Sequence, residues 1–251
     1  MSSPQIPVEE WPDRLEKIIA ERCTLFRRVF LLRETDSTQD AARRMNAIPG
    51  DVFVAWKQTA GRGRLGRSWS SDEAGIAMTF AIKSEPAERL AIAMAIGGAK
   101  AAESILGRVV GIKWPNDIIV DDRKLAGILV EQCGELALPA IGLNVTQRTW
   151  PEELQDKAIS LHQLGLDIDR IVVAETIIEH VDRALGLSDE DLIEGFLSRD
   201  YLKGRMLHLR NGSVEVRGRL IRIDPMQGMA IQTSQEEIWL PAATTTVIDF
   251  E

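Results

Sequence analysis

Apolar positions near the start of the chain recur at helical spacing: Trp11, Leu15, Ile18 and Ile19 share one face of a helix predicted over residues 10–23. VFLLRET at 29–35 then reads as a strand. Ser37 or Thr38 can cap a helix through QDAARRMN, because a short hydroxyl side chain accepts from the unpaired amides of a first turn. A turn at PGD leads into the strand VFVAWKQ, and AGIAMTFAIK at 74–83 reads as another. LAIAMAIGGAKAAESIL at 90–106 is a helix of small residues, able to lie close against a sheet despite Gly97 and Gly98. LGRVVGIKWPNDIIV predicts a strand, a polar corner and a short strand, and RKLAGILVEQC and LALPAIGLNV add two more.

Residues 169–184 and 188–201 return to helical spacing, and the texture then changes. From 206 onward MLHLR, SVEVRGRLIRID, GMAIQTS, EEIWLP and TTVIDF are short β-rich pieces separated by turn signals, which predict a small barrel. A boundary is placed near Gly204, dividing the chain into 1–204 and 205–251. Helices mixed with many short strands predict an α/β or α+β layer fold around a largely antiparallel or mixed sheet.

Composition narrows the function classes. The 251 residues carry 30 Lys plus Arg against 38 Asp plus Glu, a net charge of -8, which argues against a surface that coats nucleic acid. Cys23 and Cys133 stand far apart, and His162, His180 and His208 form no ligand-spaced cluster, so neither a disulfide framework nor structural zinc is expected. The acid-rich start lacks the basic and apolar regions of a secretory signal, and Lys100 and Glu103 interrupt the longest weakly polar stretch. No membrane span and a cytoplasmic setting are therefore expected. A winged helix-turn-helix needs roughly 60 residues, more than precede the first strong motif, so no DNA partner is expected either.

The strongest chemical signal is the run from Lys57 to Trp69. Residues 56–70 hold four positive side chains and no acid, inside an acidic chain. Gly61, Gly63 and Gly66 let the backbone turn and approach an anion, while Arg62, Arg64 and Arg67 offer paired donors suited to phosphate or carboxylate. An exposed basic turn or an RNA contact would use the same residues. The run lacks the Gly-Lys-Ser/Thr ending of a P-loop.

In Lys113-Trp114-Pro115-Asn116-Asp117, proline fixes a corner, and Asp117 and Asn116 can hold a metal-bound phosphate; an ordinary hairpin turn is the competing reading. Lys124 enters an apolar strand, where it can snorkel to solvent or point a fixed charge into a cleft, and Gly127 permits close approach. Asn144 interrupts another apolar strand as a ligand contact or as a buried structural amide. No Ser-His-acid or Cys-His arrangement stands out, so electrostatic stabilisation of phosphoryl charge fits better than a covalent side-chain nucleophile.

Asp36-Ser37-Thr38-Gln39, GRGRLGR at 61–67, KWPND at 113–117, RKLAGILVE at 123–131 and IGLN at 141–144 together resemble biotin–protein ligase, also called biotin–acetyl-CoA-carboxylase ligase. The resemblance implies an α+β fold with a class II aminoacyl-tRNA-synthetase-like mixed sheet and a small C-terminal SH3-like β-barrel. It implies ATP-dependent formation of biotinyl-5'-AMP and transfer of biotin to a lysine of a biotin carboxyl carrier protein or domain, with Mg²⁺.

By the same resemblance, Ser37 and Thr38 meet the biotin head and Gln58 lines the channel. Gly61, Arg62, Arg64 and Arg67 belong to a loop, mobile without ligand, that orders over the adenylate, with Trp69 beneath it. Lys124, Arg64 and Lys113 are the implied catalytic cations, Asn116 and Asp117 support nucleotide and magnesium, Gly127 lines the site, and Asn144 lies on the adenine side. Gln39 replaces a usual asparagine, Leu65 an often basic residue, and Ala140 and Arg222 common glycines. Lipoate–protein ligase and a non-enzymatic nucleic-acid module are the alternatives, and a two-fold homodimer through a sheet edge stays open.

Overall fold

The helix of small residues sets the layering. The computed structural model describes residues 6–69 and 73–251. The elements are α1 (Trp11–Arg22), β1 (Arg28–Leu32), α2 (Thr38–Arg44), β2 (Asp51–Ala55), β3 (Gly75–Phe80), β4 (Ile82–Lys83), α3 (Ala87–Leu106), β5 (Gly111–Lys113), β6 (Asp117–Val120), β7 (Arg123–Cys133) and β8 (Leu136–Asn144). They continue with α4 (Arg170–Leu185), α5 (Asp189–Leu197), β9 (Met206–Asn211), β10 (Val214–Asp224), β11 (Gly228–Gln232), β12 (Glu237–Pro241) and β13 (Thr245–Phe250).

Helix α3 buries both its faces. A Cβ on Gly97 would stand 2.8 Å from the Val181 Cα of α4, and one on Gly98 would meet Ile141 and Ile118 of the sheet at 2.6 and 2.8 Å. The glycine pair therefore lets α3 slot between sheet and α4, and Gly107 in the left-handed region ends it at φ +69°.

The large sheet runs β1-β2-β3-β8-β7-β6-β5, with β4 on β8. It is mixed: β1 and β2 are parallel and the other pairs antiparallel. One face carries Val52, Val54, Ile76, Met78, Ile128 and Ile141 into the main core with α1, α3, α4 and α5. The other carries Phe53, Ala81 and Leu138 against Ala42 of α2. The predicted strand 74–83 is interrupted at Ala81, whose amide and carbonyl bond to Asp51 and Gly50 and pull the chain off its line.

Alternation places one row on the α2 face, read across the sheet by register: Leu32, Ala55, Ala77, Gly142, Gly127, Asp117, Lys113. Its middle is nearly free of side chains, and its far end is charged.

The expected C-terminal barrel is not formed. Strands β9–β13 make an open five-stranded sheet in the order β12-β11-β10-β9-β13, and no described pairing joins the edges β12 and β13. Closure is one way to bury an apolar face; here Leu207, Leu209, Leu220, Met229, Ile231 and Leu240 join the main core instead. The sheet bends at bulges in β10 and β13 without meeting itself. Among the described residues no helix is long and apolar enough to cross a membrane.

Gly97→Ala is expected to cost about 1–3 kcal/mol by overpacking. Urea unfolding should show a lower midpoint at unchanged m, and an unchanged midpoint would reject the tight α3–α4 contact.

Candidate active site

The side-chain-free centre of the transverse row is occupied by Trp69. A Cβ on Gly142 would fall well inside the indole, and one on Gly127 would lie 3.3 Å from the same ring and 2.9 Å from the Lys124 Nζ. The two glycines face each other across β7 and β8 and together form a flat seat. The Lys124 ammonium lies 5.5 Å from the Trp69 ring centroid, and its Nζ is 2.6 Å from Asp117 Oδ1. A cleft lined by Thr38, Gln58, Arg64, Trp69, Asn116 and Lys124 opens above this floor.

At one wall, Thr79 Oγ1 donates to Thr38 Oγ1 at 2.7 Å, and the Thr38 amide and hydroxyl both donate to Gln58 Oε1 at 2.8 and 3.1 Å. Ser37, buried, caps α2 by accepting from the Gln39 amide. Gln39 reaches through the core face to donate to the Leu138 carbonyl at 2.8 Å. The chain thus uses Gln39 to tie α2 to β8, in the middle of the sheet.

At the opposite wall, Arg64 Nη1 donates to Asn116 Oδ1 at 3.1 Å, and Asn116 Nδ2 donates to the Ile128 carbonyl at 3.0 Å. The corner holding Asn116 is secured from behind, where Trp114 Nε1 donates to the Pro225 carbonyl of the C-terminal sheet at 2.8 Å. Lys113 stacks 4.4 Å above the Phe250 ring. Burial lowers the Lys113 pKa; Asp117 opposes this and Lys124 adds to it. Burial likewise lowers Arg64, with Asp117 opposing and Arg67 adding. Among the described residues, Arg64, Arg67, Lys113 and Lys124 therefore share one neighbourhood with Asp117, and Asp249 also acts on Lys113, so cations outnumber carboxylates there and bias the site toward anions.

The loop itself is tied down. Arg62 pairs with Asp40 of α2 and with Glu131 of β7, its Nη2 lying 3.0 and 3.1 Å from their oxygens, and Arg43 joins the same two carboxylates. Asp40 is held below its ordinary value chiefly by Arg62. Burial raises Glu131, but Arg62 and Arg43 outweigh it and leave the carboxyl lowered. Both carboxyls thus contribute above their ordinary values, and the tether weakens as pH falls below that range.

The structure brings Thr38, Gln58, Arg62, Arg64, Trp69, Asn116, Lys124 and Gly127 to one cleft, with Arg67 on an adjoining cavity. Asp117 and Lys113 end the transverse row beside it. Gly61 underlies the loop, its missing Cβ leaving room for the Trp69 carbonyl. Asn144 is set apart: it is 4% exposed, and its amide donates to the Lys124 and Ile159 carbonyls at 3.2 and 3.0 Å. It therefore holds the backbone of Lys124, the buried-amide reading of that position. Ser70, at the end of the acid-free segment, lies outside the described residues, as do residues 1–5 of the lead.

Gly142, the Asp40–Glu131 tether and Phe250 beneath Lys113 were not singled out in the sequence. Glu131 sits within a quoted motif, but nothing along the chain signals its ion pair with Arg62, and Phe250 is remote from every motif. Among the described residues no group of three or more His, Cys, Asp or Glu could hold a metal ion by itself.

Known proteins resemble this chain in sequence and in fold. Residues 31–146 match the Biotin/lipoate A/B protein ligase family. The chain is 31% identical over 198 residues to the bifunctional ligase/repressor BirA of Escherichia coli, covering 73% of this chain and 62% of that protein. It is 34% identical over 145 residues to the biotin--[acetyl-CoA-carboxylase] ligase of Mycobacterium tuberculosis, 54% of each chain. The matches thus span between about half and three fifths of these relatives' length. A structure of biotin protein ligase from Aquifex aeolicus in complex with biotin and ATP superposes with a TM-score of 0.82 at 29% identity, covering 88% of this chain and 99% of that one.

Gly142→Ala should displace Trp69 while leaving the strand intact. Amide exchange over residues 60–69 is expected to quicken by about 10-fold, or about 1.4 kcal/mol of local opening; an unchanged loop would show that the seat does not hold the indole.

Proposed function

We propose that the chain is a member of the biotin/lipoate A/B protein ligase family, whose model matches residues 31–146, and that it condenses biotin with ATP to biotinyl-5'-AMP and passes the biotinyl group to a carrier-protein lysine. The observation that carries this reading is the convergence of Arg64, Arg67, Lys113 and Lys124 around Asp117, above a floor that only a flat group can occupy.

In the first step a carboxylate oxygen of biotin attacks the α-phosphorus of ATP, forming the mixed anhydride as pyrophosphate leaves. The two reactants are both anionic, and at about 4 Å in an effective dielectric near 20 two unit charges repel by about 4 kcal/mol. That is roughly a thousandfold in rate, so fixed cations at the junction are required. Lys124 is assigned to the biotin carboxylate and the bridging oxygen. Arg64 and Lys113 take the phosphates, and Arg67, at the rim, stabilises the outer ones. Thr38 and Gln58, already linked to each other, present polar atoms to the biotin head beside Ser37.

The loop from Gly61 to Trp69 covers the anhydride and keeps water out, with Arg62 anchoring it to α2 and β7. In the second step the amine of the carrier lysine attacks the acyl carbon and AMP leaves, so no nucleophile from this chain is needed. Residues 1–204 are taken as the catalytic unit and 205–251 as a small β unit that braces the Lys113–Trp114 corner.

Magnesium fits this donor set as a partner of phosphate. Mg²⁺ usually takes one or two protein carboxylates plus phosphate oxygens, and Asp117, with Asn116 beside it, offers such a carboxylate. Asp117 here holds the Lys124 ammonium, a cation in contact with the same oxygen. When bound, the ion would offset phosphate charge.

Purified protein incubated with ATP, Mg²⁺ and either biotin or lipoate, with and without a carrier domain, tests the reading: acylation only with lipoate, or none with either, overturns it. Lys124→Ala should slow pyrophosphate release by on the order of 10² or more while melting near the parent temperature. Near-parent release would remove Lys124 from the chemistry. Asp117→Ala should shift the magnesium titration to higher concentration, and a superimposable titration would reject its metal role.

A further inference from the structure

Arg170, the first residue of α4, is 1% exposed, and no step of the proposed reaction uses it. Its Nη1 donates to the Trp56 carbonyl at 3.0 Å and to the Gly75 carbonyl at 2.9 Å. Its guanidinium stacks 3.7 Å from the Trp56 ring centroid, with Trp11 of α1 on its flank at 5.5 Å. Trp11 and Trp56 also meet edge to face, with centroids 5.1 Å apart.

The two carbonyls are not arbitrary places in the chain. Trp56 immediately follows β2 and precedes Lys57 and Gln58; Gly75 opens β3. Between them runs the whole segment that carries Gln58, Gly61, Arg62, Arg64, Arg67 and Trp69. One nitrogen bonded to both carbonyls fixes the spacing of the loop's two roots. The stack against Trp56 fixes the direction in which the chain leaves β2. Burying a guanidinium is costly unless its donors are met, so its retention at this point calls for a return in geometry.

We infer that Arg170 is a positioning residue for the loop: by clamping both roots it sets how closely Arg64 and Trp69 sit on the Gly127–Gly142 seat. In the proposed reaction it thereby limits how fast biotinyl-adenylate escapes or meets water. The inference rests on the function proposed above for its ligand, but the clamp itself does not. Placement errors of about 1 Å at a reacting centre can cost about 10²-fold, so a slackened root is consequential without touching substrate.

Arg170→Met keeps much of the apolar volume and removes the donors. Arg170→Lys keeps charge and donors but is one atom shorter and has no plane to stack, so it cannot hold both carbonyls as before. Two readouts are taken well below the melting temperature of each variant. The first is tryptic cleavage after Arg62, Arg64 and Arg67 relative to cleavage after Arg210 in the C-terminal sheet, in protein without ligand. The second is the rate at which labelled biotinyl-adenylate leaves the protein.

The loop-to-Arg210 cleavage ratio and the release rate should both rise at least about 10-fold in Arg170→Met and by an intermediate factor in Arg170→Lys. A purely structural arginine would lower the melting temperature and raise cleavage at all sites together, leaving the ratio unmoved, and that result overturns the inference. If Arg170→Met does not fold, Arg170→Lys decides: parent values of both readouts reject the clamp. A parent protein that forms no adenylate would sink the function instead, and the cleavage ratio would still judge Arg170.

Discussion

The contact between Trp69 and the facing glycines Gly127 and Gly142 is the constraint on which the rest of the site depends. Without side chains at those positions, an indole lies flat on the sheet and brings the arginine loop down with it. Lys124 is caught between that indole and Asp117, and the cleft is the space left over. A methyl group at Gly142 would displace the indole and one at Gly127 would crowd both the indole and the end of Lys124, so the glycines are explained by close approach and not by backbone angle.

Around this contact the protein spends its burial on holding charges in place. Asn144 and Phe250 line neither the cleft nor the cavity beside it, and Pro225 lines only the latter, yet each fixes an element that carries a cation or its corner. The small C-terminal sheet is part of this support. Its open edges are compatible with stability because its apolar face finishes the core of the larger unit, which removes the need to close upon itself. The loop is held by long-range ion pairs through Arg62, which depend on ionised carboxylates, and from its roots by Arg170.

Most elements were legible because their apolar spacing is strong: α1, α3 and α4 follow helical periodicity, and β7 and β8 are long apolar runs bounded by turn residues. The exception in the large sheet, Ala81, looks like any strand residue; its break depends on hydrogen bonds to Asp51 and Gly50, about thirty residues away along the chain. The barrel expectation failed for a related reason. Five short strands with turns give the number of strands, whereas closure depends on what else covers their face.

For the site, the chain itself determined the inventory: an acid-free arginine loop, the KWPND corner, Lys124 and Gly127, all marked by unusual local composition. Local composition can reveal such groups because anion binding needs cations and pliable backbone close together in sequence. Only the tertiary structure decided that Gly142 faces Gly127, that Asn144 serves the Lys124 backbone, and that Phe250 lies beneath Lys113. Those relations are set by strand register and by packing between distant segments, and a one-residue shift in register would send every one of these side chains to the opposite face.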